Sequence, residues 1–286
     1  MKKENRQKSE HEFLRAFLQN KAAVISTVII LLIIILSVLA PFLTRYDETG
    51  QDLLNRLMPP GNGHIFGTDE LGRDVFTRVF YGTRVSLLIG LFPTVLAVAV
   101  GTVAGVCAAH FKGAADFIIM RLADVMLSIP GMLLAMVVLY TLGGSLTSVI
   151  ISLILMEWGG IAVVVRSAAL EIQECEYVTA AASIGAGKLW IILRHILPNL
   201  LPTLIVLFTL NIPSSILSES SLSFLGIGIQ PPQVSLGLMT GTSRQYLFSS
   251  PHLVLAPAVM ILLLVLSFNF LGDALRDILD PERKTL

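Results

Sequence analysis

The chain has 286 residues, of which 54% are hydrophobic and only 14% are charged, whereas soluble domains carry about 25% charged residues; this composition excludes an ordinary soluble protein. Its 20 Lys and Arg balance its 20 Asp and Glu, and its two cysteines stand alone in apolar or helical sequence. Nucleic-acid binding, a disulfide framework and a cysteine-rich metal site therefore have no support, and the chain is predicted to be an all-α polytopic membrane protein.

Transmembrane helices are predicted where long intervals contain no charged residue, because a bilayer core about 30 Å thick needs about 20 apolar helical residues. The first interval, 22–44, is too long for a cleavable signal peptide. The interval 117–166 is too long for one span, and Gly143-Gly144-Ser145 divides it. Six spans result: TM1 at 22–43, TM2 at 85–111, TM3 and TM4 on either side of that glycine pair, TM5 at 200–218 and TM6 at 253–272.

The distribution of Lys and Arg predicts the orientation of these spans. Six spans place both termini on one side, and that side holds 14 of the 20 Lys and Arg. Both termini are therefore expected in the cytoplasm. The predicted organisation is a cytoplasmic segment at 1–21, TM1 at 22–43, an external loop at 44–84, a core of five spans at 85–275 with a cytoplasmic loop at 166–199, and a cytoplasmic tail at 276–286.

The external loop is predicted to fold into an ion-paired cap. Its five Arg are offset by six Asp and Glu, and Asp69, Arg73, Asp74 and Arg78 are close enough in sequence to pair with one another. Exposed ion pairs are individually weak, so these residues by themselves favour a cap that mainly stabilises its own fold.

Two carboxylates, Glu157 and Glu219, lie in or near predicted spans, where a charge is costly unless it is paired or faces water. Both are candidates for a substrate path. Glu157 lies nine residues before Arg166, about 14 Å along a helix, and its alternative role is a protonated or hydrogen-bonded contact between helices. Glu219 lies at the outer end of TM5, where the alternative is an ordinary interfacial charge.

The cytoplasmic loop at 166–199 is predicted to form two short helices with a tight bend. Its first half carries the small patch Ala180-Ala181-Ala182, followed by Gly185, where a helix can end in a left-handed turn. Its second half, 188–196, is expected to be amphipathic and to stop near Pro198. This pair either seats in a groove of a partner protein or lies on the membrane surface. The apolar face of the second helix is expected to contain Leu189, Ile192 and Ile196.

No catalytic or nucleotide-binding motif is found. Gly185-Ala186-Gly187-Lys188 resembles a phosphate loop, but such a loop needs Gly at Ala182 and Ser or Thr at Leu189. The five histidines show no zinc-binding spacing. The chain is therefore expected to be neither an enzyme nor a holder of a cofactor or metal.

The cytoplasmic loop resembles the EAA coupling loop of bacterial ABC importer permeases. Three residues separate Ala181 from Gly185, and twelve separate Gly185 from Pro198. Thr179 stands where that motif usually has Glu, and His195 stands where it usually has Ile. The resemblance implies that an ATPase docks on this loop through Thr179, Ala180, Ala181, Gly185, His195, Leu197 and Pro198.

Further motifs in the same order resemble the dipeptide/oligopeptide/nickel permease family, in particular the second of its two permease subunits. The likeness covers nearly the whole chain. The motifs are HIFGTD at 64–69, LGRD at 71–74, LSFLG at 222–226, QPP at 230–232, FNFLGD at 268–273 and DP at 280–281.

This resemblance implies the fold and partners of a type I ABC importer permease in the bacterial inner membrane. The implied partners are a homologous permease, two ATP-binding subunits that hold ATP and Mg, and an extracytoplasmic binding protein that the external cap helps to receive. Short peptides are the expected substrate, with nickel complexes, glutathione-like peptides or metallophores as alternatives. A self-sufficient secondary transporter would show inverted repeats, and an intramembrane enzyme would need paired reactive groups, and neither pattern is found.

Overall fold

The computed structural model describes residues 13–61 and 63–279. Residues 1–12 of the predicted cytoplasmic segment at 1–21 lie outside this range. The DP motif at 280–281 and residues 280–286 of the predicted tail at 276–286 also lie outside it. From Lys21 onward, the described helices are α1 Lys21–Val38, α2 Ala40–Leu43, α3 Val75–Phe111, α4 Gly113–Ser128, α5 Gly131–Leu142, α6 Leu146–Glu174, α7 Glu176–Ser183, α8 Lys188–Ile191, α9 Leu197–Phe224, α10 Leu236–Ser243 and α11 His252–Leu279.

The prediction of an all-helical membrane protein is confirmed. Within the described residues, five helices are long and apolar enough to cross a membrane, and the bent pair α4 and α5 forms a sixth candidate. The described residues form no strand, and their only β structure is two isolated bridges in the external loop. The five helices are α1, α3, α6, the run Lys188–Phe224, and α11.

The helix of TM2 begins earlier than predicted, at Val75 rather than at 85. The Asp74 carboxylate caps its first turn by accepting from the Thr77 amide at 2.8 Å. Hydropathy missed these ten residues because Arg78 and Arg84 interrupt the apolar run. The Arg84 guanidinium instead donates to the backbone carbonyls of Ser37 and Val38 at the end of α1, so the structure pairs this charge. The helix therefore includes residues 75–84, which the sequence assigned to the external loop.

TM3 is not the single helix that the sequence predicted. The helices α4 and α5 meet at an angle of 90° across a short break. Pro130 causes this break, because it cannot continue a helical hydrogen-bond ladder, and the preceding Ile129 takes the extended conformation that proline favours. The predicted division between TM3 and TM4 is present, since Gly143 separates α5 from α6 with a φ of +83°.

The second helix of the cytoplasmic loop does not stop near Pro198, and this prediction is wrong. A π-helical turn at Ile192–Ile196 joins α8 to α9, so that one helical run extends from Lys188 to Phe224. Pro198 lies in the first turn of α9. The wider π turn accommodates the proline, whose ring nitrogen cannot donate to the preceding turn.

The most extensive helix contact in the described chain joins α3 to α6. Gly101 and Gly105 allow this close approach. A Cβ on Gly105 would lie 2.6 Å from the backbone oxygen of Ala162, and one on Gly101 would lie 2.6 Å from Ile161 Cγ2. The small-residue pair therefore serves packing, as in other membrane helix pairs.

Candidate functional site

The coupling segment, residues 175–198, turns sharply at Gly185. The φ of Gly185 is +85°, and its amide donates to the Ala182 carbonyl at 3.0 Å. The Ala186 amide donates to the Ala181 carbonyl at 3.1 Å. These two bonds form a Schellman motif, so the left-handed helix end expected at Gly185 is present. The backbone at this bend is therefore fixed by hydrogen bonds rather than held only by side chains.

An apolar tip projects from this bend. Ile184 is 87% exposed and Leu189 is 67% exposed, whereas Val178 and Ala181 are buried against the helices behind them. Of the three residues expected on one apolar face of the second helix, Ile192 and Ile196 are buried, whereas Leu189 is exposed. Thr179, Ala180 and Gly185 are exposed, Leu197 is half-buried, and Pro198 is exposed.

His195 lies between two aromatic rings of the coupling segment. Its ring centroid is 5.8 Å from that of Tyr177 on α7 and 5.0 Å from that of Trp190 on α8. An aromatic ring at this position therefore joins the two arms of the bend. This contact gives a physical role to His195, which stands where the coupling-loop motif usually has Ile.

A cleft of about 390 Å³ opens between α6 and α9 in the middle of the spans. We call it the midspan cleft. Its α9 wall carries three polar side chains on one face, Asn211, Ser214 and Ser218. The complete lining is Met156, Glu157, Gly160, Ile161, Val164, Leu207, Asn211, Ser214 and Ser218.

Glu157, the deep carboxylate predicted from the sequence, lies in the wall of the midspan cleft and is partly exposed. The Ser215 hydroxyl donates to its Oε1 at 2.5 Å, and the Ser215 and Thr94 hydroxyls are 2.9 Å apart. Its Oε2 has no hydrogen-bond partner among the described residues. Glu157 is thus both a contact between helices and a constituent of a cleft, so the two alternatives are not exclusive.

Glu219 is not an interfacial charge, because its side chain is 0% exposed. The Ser223 hydroxyl donates to its Oε1 at 2.6 Å and the Ser235 hydroxyl donates at 2.7 Å. Ser235 also caps α10, since its Oγ accepts from the Leu238 amide at 3.1 Å. Glu219 therefore ties the outer end of α9 to the start of α10, and it does not line the midspan cleft.

The external cap is organised around Asp69. Its side chain is buried, whereas exposed ion pairs were expected from the sequence. The Arg73 guanidinium lies 2.6 Å from Asp69 Oδ2, and that of Arg78 lies 3.4 Å from the same oxygen. Asp69 Oδ1 accepts from the backbone amides of Leu71 and Arg73 at 2.9 and 3.0 Å. One carboxylate therefore satisfies two cations and two amides of the loop.

Asp74 does not join this ion-pair network, which corrects the prediction that all four charges pair with one another. Besides capping α3, it lies 2.8 Å from His64 Nδ1. The His64 ring stacks on Tyr46 at a centroid distance of 4.5 Å. Elsewhere in the cap, burial raises the pKa of Glu48, whose backbone carbonyl accepts from Arg78 at 3.0 Å.

One ion pair between α4 and α6 was missed by sequence reasoning. Arg166 on α6 makes a bidentate contact with Asp116 on α4, with both N–O distances at 2.6 Å. The two residues are 50 positions apart, so no local spacing could reveal the pair. It ties the first half of the broken helix to the span that leads into the coupling segment.

Comparisons with known proteins agree with these features. Residues 97–285 match the family described as binding-protein-dependent transport system inner membrane component, and residues 11–60 match the N-terminal TM domain of oligopeptide transport permease C. The glutathione transport system permease protein GsiD of Pectobacterium atrosepticum is 38% identical over 275 residues, or 96% of this chain and 91% of that relative. The proteins of the same name in Escherichia coli O157:H7 and Shigella sonnei are 40% identical over the same shares.

Solved structures share the fold. One inward-facing structure of the MetNI methionine ABC transporter matches with a TM-score of 0.58 and 20% identity, covering 70% of this chain and 96% of that chain. A second inward-facing structure of the same transporter gives a TM-score of 0.53 at 20% identity, covering 71% and 95%. The resemblance to ABC importer permeases is confirmed by the family matches and the relatives. The chain belongs to the family of binding-protein-dependent transport system inner membrane components and is a transmembrane subunit of an ABC importer.

Proposed function

We propose that this chain pairs with a homologous permease and that the two subunits enclose a path for short peptides across the bacterial inner membrane. The match to oligopeptide transport permease C and the name of the glutathione transport relatives support a peptide substrate, a glutathione-like tripeptide included. Nickel complexes and metallophores are the alternatives within the family. The midspan cleft, with Glu157 in its wall, is the part of this chain that we assign to the path, because polar groups inside a span face water or a partner.

The energy source in this proposal is a pair of ATP-binding subunits that hold ATP and Mg, while this chain holds no cofactor. They dock on the coupling segment, with both termini on the same, cytoplasmic side. The observation that carries this assignment is the Schellman bend at Gly185 with Ile184 exposed at its tip. A rigid apolar tip suits a groove in a partner, because it loses little conformational freedom on docking. Thr179, Ala180, His195, Leu197 and Pro198 complete the proposed docking surface, and the buried Ala181 supports it from behind.

The external cap is the proposed receiver of a substrate-loaded binding protein. Asp69, Asp74 and Arg78 are buried, so their role in this proposal is to hold the shape of the cap, while Arg73 is less enclosed. In the proposed arrangement, the cap at 44–74 lies on the outer side of the membrane, the permease core reaches to residue 275, and the coupling segment lies on the cytoplasmic side.

Replacement of Ile184 by glutamate should separate the ATPases from the permease. A charge at the apolar tip must be desolvated on docking, so we expect substrate-stimulated ATP hydrolysis to fall at least about tenfold. The measurement is affinity purification of the whole transporter through a tag on this chain, followed by mass spectrometry and an ATPase assay in proteoliposomes with the binding protein.

Ile184→Leu is the matched control and should retain both docking and hydrolysis. The second permease should co-purify with every variant, because the tip is proposed to dock the ATPases alone. Retention of the ATPases and full hydrolysis by Ile184→Glu would contradict the docking role. Purification of the native chain without any ATPase, together with ATP-independent uptake, would instead contradict the proposed function and favour a secondary transporter.

A further inference from the structure

A second cleft lies at the end of α9 that is far from the coupling segment. It has a volume of about 510 Å³ and is bounded by the end of α9, the loop after it, α10 and Glu70 of the external cap. We call it the outer cleft. Small-molecule sites measure about 300 to 1,000 Å³, so the outer cleft is large enough to receive the end of a short peptide.

One face of α9 joins the midspan cleft to the outer cleft. Asn211, Ser214 and Ser218 line the midspan cleft. Ser221 lies three positions further along the chain, and Leu225, four positions after that, lines the outer cleft. Intervals of three and four residues place side chains on the same side of a helix. None of these five residues is buried, so the outer cleft opens at the end of a mostly polar stripe that this chain leaves uncovered.

Arg244 is the one cation among the residues that line the outer cleft, all of which belong to the described chain. Its side chain is exposed, and its guanidinium carbon lies 5.9 Å from the ring centre of Phe224. The guanidinium forms no hydrogen bond or ion pair with the described residues. A contact with an aromatic face leaves the N–H groups of arginine unused as hydrogen-bond donors. Arg244 therefore offers its donors to a partner outside this chain.

The one carboxylate in the wall of the outer cleft does not neutralise Arg244. Glu70 Oε1 instead accepts from the Arg73 guanidinium at 3.3 Å. Within the external cap, Asp69 and Glu70 together face the guanidinium groups of Arg73 and Arg78. Because these four charges balance one another, Arg244 contributes an uncompensated positive charge to the outer cleft.

We propose that the outer cleft binds the terminal carboxylate of the transported peptide, with the Arg244 guanidinium as its charged donor. A guanidinium group and a carboxylate can form two parallel hydrogen bonds. The side-chain amide of Gln245 also lines the cleft and is unused within the described chain, so it can supply a further donor. The connection to the stripe on α9 favours a substrate over a carboxylate on the surface of the binding protein. The inference rests on the proposed function, because it places the cleft on the substrate path.

The test uses the complete transporter in proteoliposomes without the binding protein. Cys107→Ser, Cys175→Ser and Thr242→Cys in this chain leave one thiol of this subunit, which reports from the outer cleft. Its modification rates by an anionic and by a cationic methanethiosulfonate reagent are compared. We expect Arg244→Gln to lower the anion-to-cation rate ratio about fivefold, because a charge several ångströms away attracts one reagent and repels the other.

N-acetylglycine serves as the carboxylate probe, and N-acetylglycinamide is its uncharged match. N-acetylglycine should slow modification of the cleft thiol when Arg244 is present and not in Arg244→Gln, whereas N-acetylglycinamide should protect in neither. Arg244→Lys should keep the rate ratio but lose most of the protection, because an ammonium group keeps the charge without the paired donors. A Gln51→Cys thiol in the external cap, which does not line the outer cleft, should show the same rate ratio with either residue at position 244.

Equal protection by the two probes, or an unreactive cleft thiol, would overturn the carboxylate site. So would a rate ratio that is the same with Arg244 and with Arg244→Gln. Peptide uptake is measured in parallel at increasing concentrations of the binding protein. If Arg244→Gln raises the half-saturating concentration of the binding protein while N-acetylglycine never protects, Arg244 meets a carboxylate of that protein and the substrate site is refuted.

The same uptake measurement separates this inference from the proposed function. Absence of carboxylate protection with intact ATP-driven uptake by the unmodified transporter refutes only the site at Arg244. Absence of ATP-driven peptide uptake by the unmodified transporter refutes the proposed function itself. Carboxylate protection that depends on Arg244, together with a lower maximal rate of uptake in Arg244→Gln, supports both.

Discussion

Replacement of Gly105 by leucine should prevent stable folding of the transmembrane core. A Cβ at this position would lie 2.6 Å from the Ala162 backbone oxygen and 2.9 Å from the Arg166 backbone nitrogen. Because these atoms belong to the backbone of α6, they cannot turn aside as a flexible side chain would. Overpacking of a tight core costs about 3 kcal/mol, and here the two helices must separate to admit the new side chain. The measurement is thermal unfolding of the purified subunit, with its amount in the membrane as a second readout.

Val103→Leu is the matched control, because it lies on the same helix two positions earlier and its side chain is 66% exposed. It introduces the same residue without a backbone clash, so its unfolding temperature should stay near that of the native chain. Gly105→Ala should fall between the two. If Gly105→Leu unfolds at the same temperature as Val103→Leu, the close approach of α3 and α6 is not what stabilises the core.

Replacement of Asp69 by alanine should unfold the external cap. The change leaves the Arg78 guanidinium, which is enclosed by the cap, without its carboxylate, and it removes the acceptor of the Leu71 and Arg73 amides. Removal of one partner from a buried ion pair costs about 3 to 5 kcal/mol, since the remaining charge stays desolvated. Hydrogen exchange across residues 52–74 should therefore become fast, while the membrane helices stay protected.

Asp47→Ala is the comparison for this change, because Asp47 lies in the same loop but is fully exposed and contacts only nearby residues. Hydrogen bonds from Thr49 lower the pKa of Asp47, yet an exposed local contact of this kind adds little to the stability of the loop. Its exchange rates should match those of the native chain. Slow hydrogen exchange in the cap of Asp69→Ala would show that the other contacts of the loop keep the cap folded without this carboxylate.

The features that could be predicted from the sequence are those set by local chemistry. The turn at Gly185 follows from the freedom of glycine to adopt positive φ, and the break at Gly143 follows in the same way. The apolar spans themselves follow from the absence of charges over about 20 residues. These properties depend on neighbours in the sequence, so local patterns indicate them even though the helix of TM2 begins at Val75 and that of TM5 begins at Lys188.

The features that were missed depend on distant partners. The buried Glu219 accepts a hydrogen bond from Ser235, which is 16 positions away. The first turns of α3 can contain Arg84 because its guanidinium donates to backbone carbonyls at the end of α1. No local pattern reveals either contact. The continuation of the helix through Pro198 was also missed, because proline usually ends a helix, whereas here the π turn at Ile192–Ile196 accommodates it.

The uninterrupted helical run from Lys188 to Phe224 makes the coupling segment and the fifth span one mechanical element. Its 37 residues correspond to a rod about 55 Å long. A tilt of about 5° at the Lys188 end of such a rod moves its far end by about 5 Å, roughly one helical turn. Because the Ser235 hydroxyl joins Glu219 near that far end to the start of α10, we expect a displacement of the bend at Gly185 to move α10 as well.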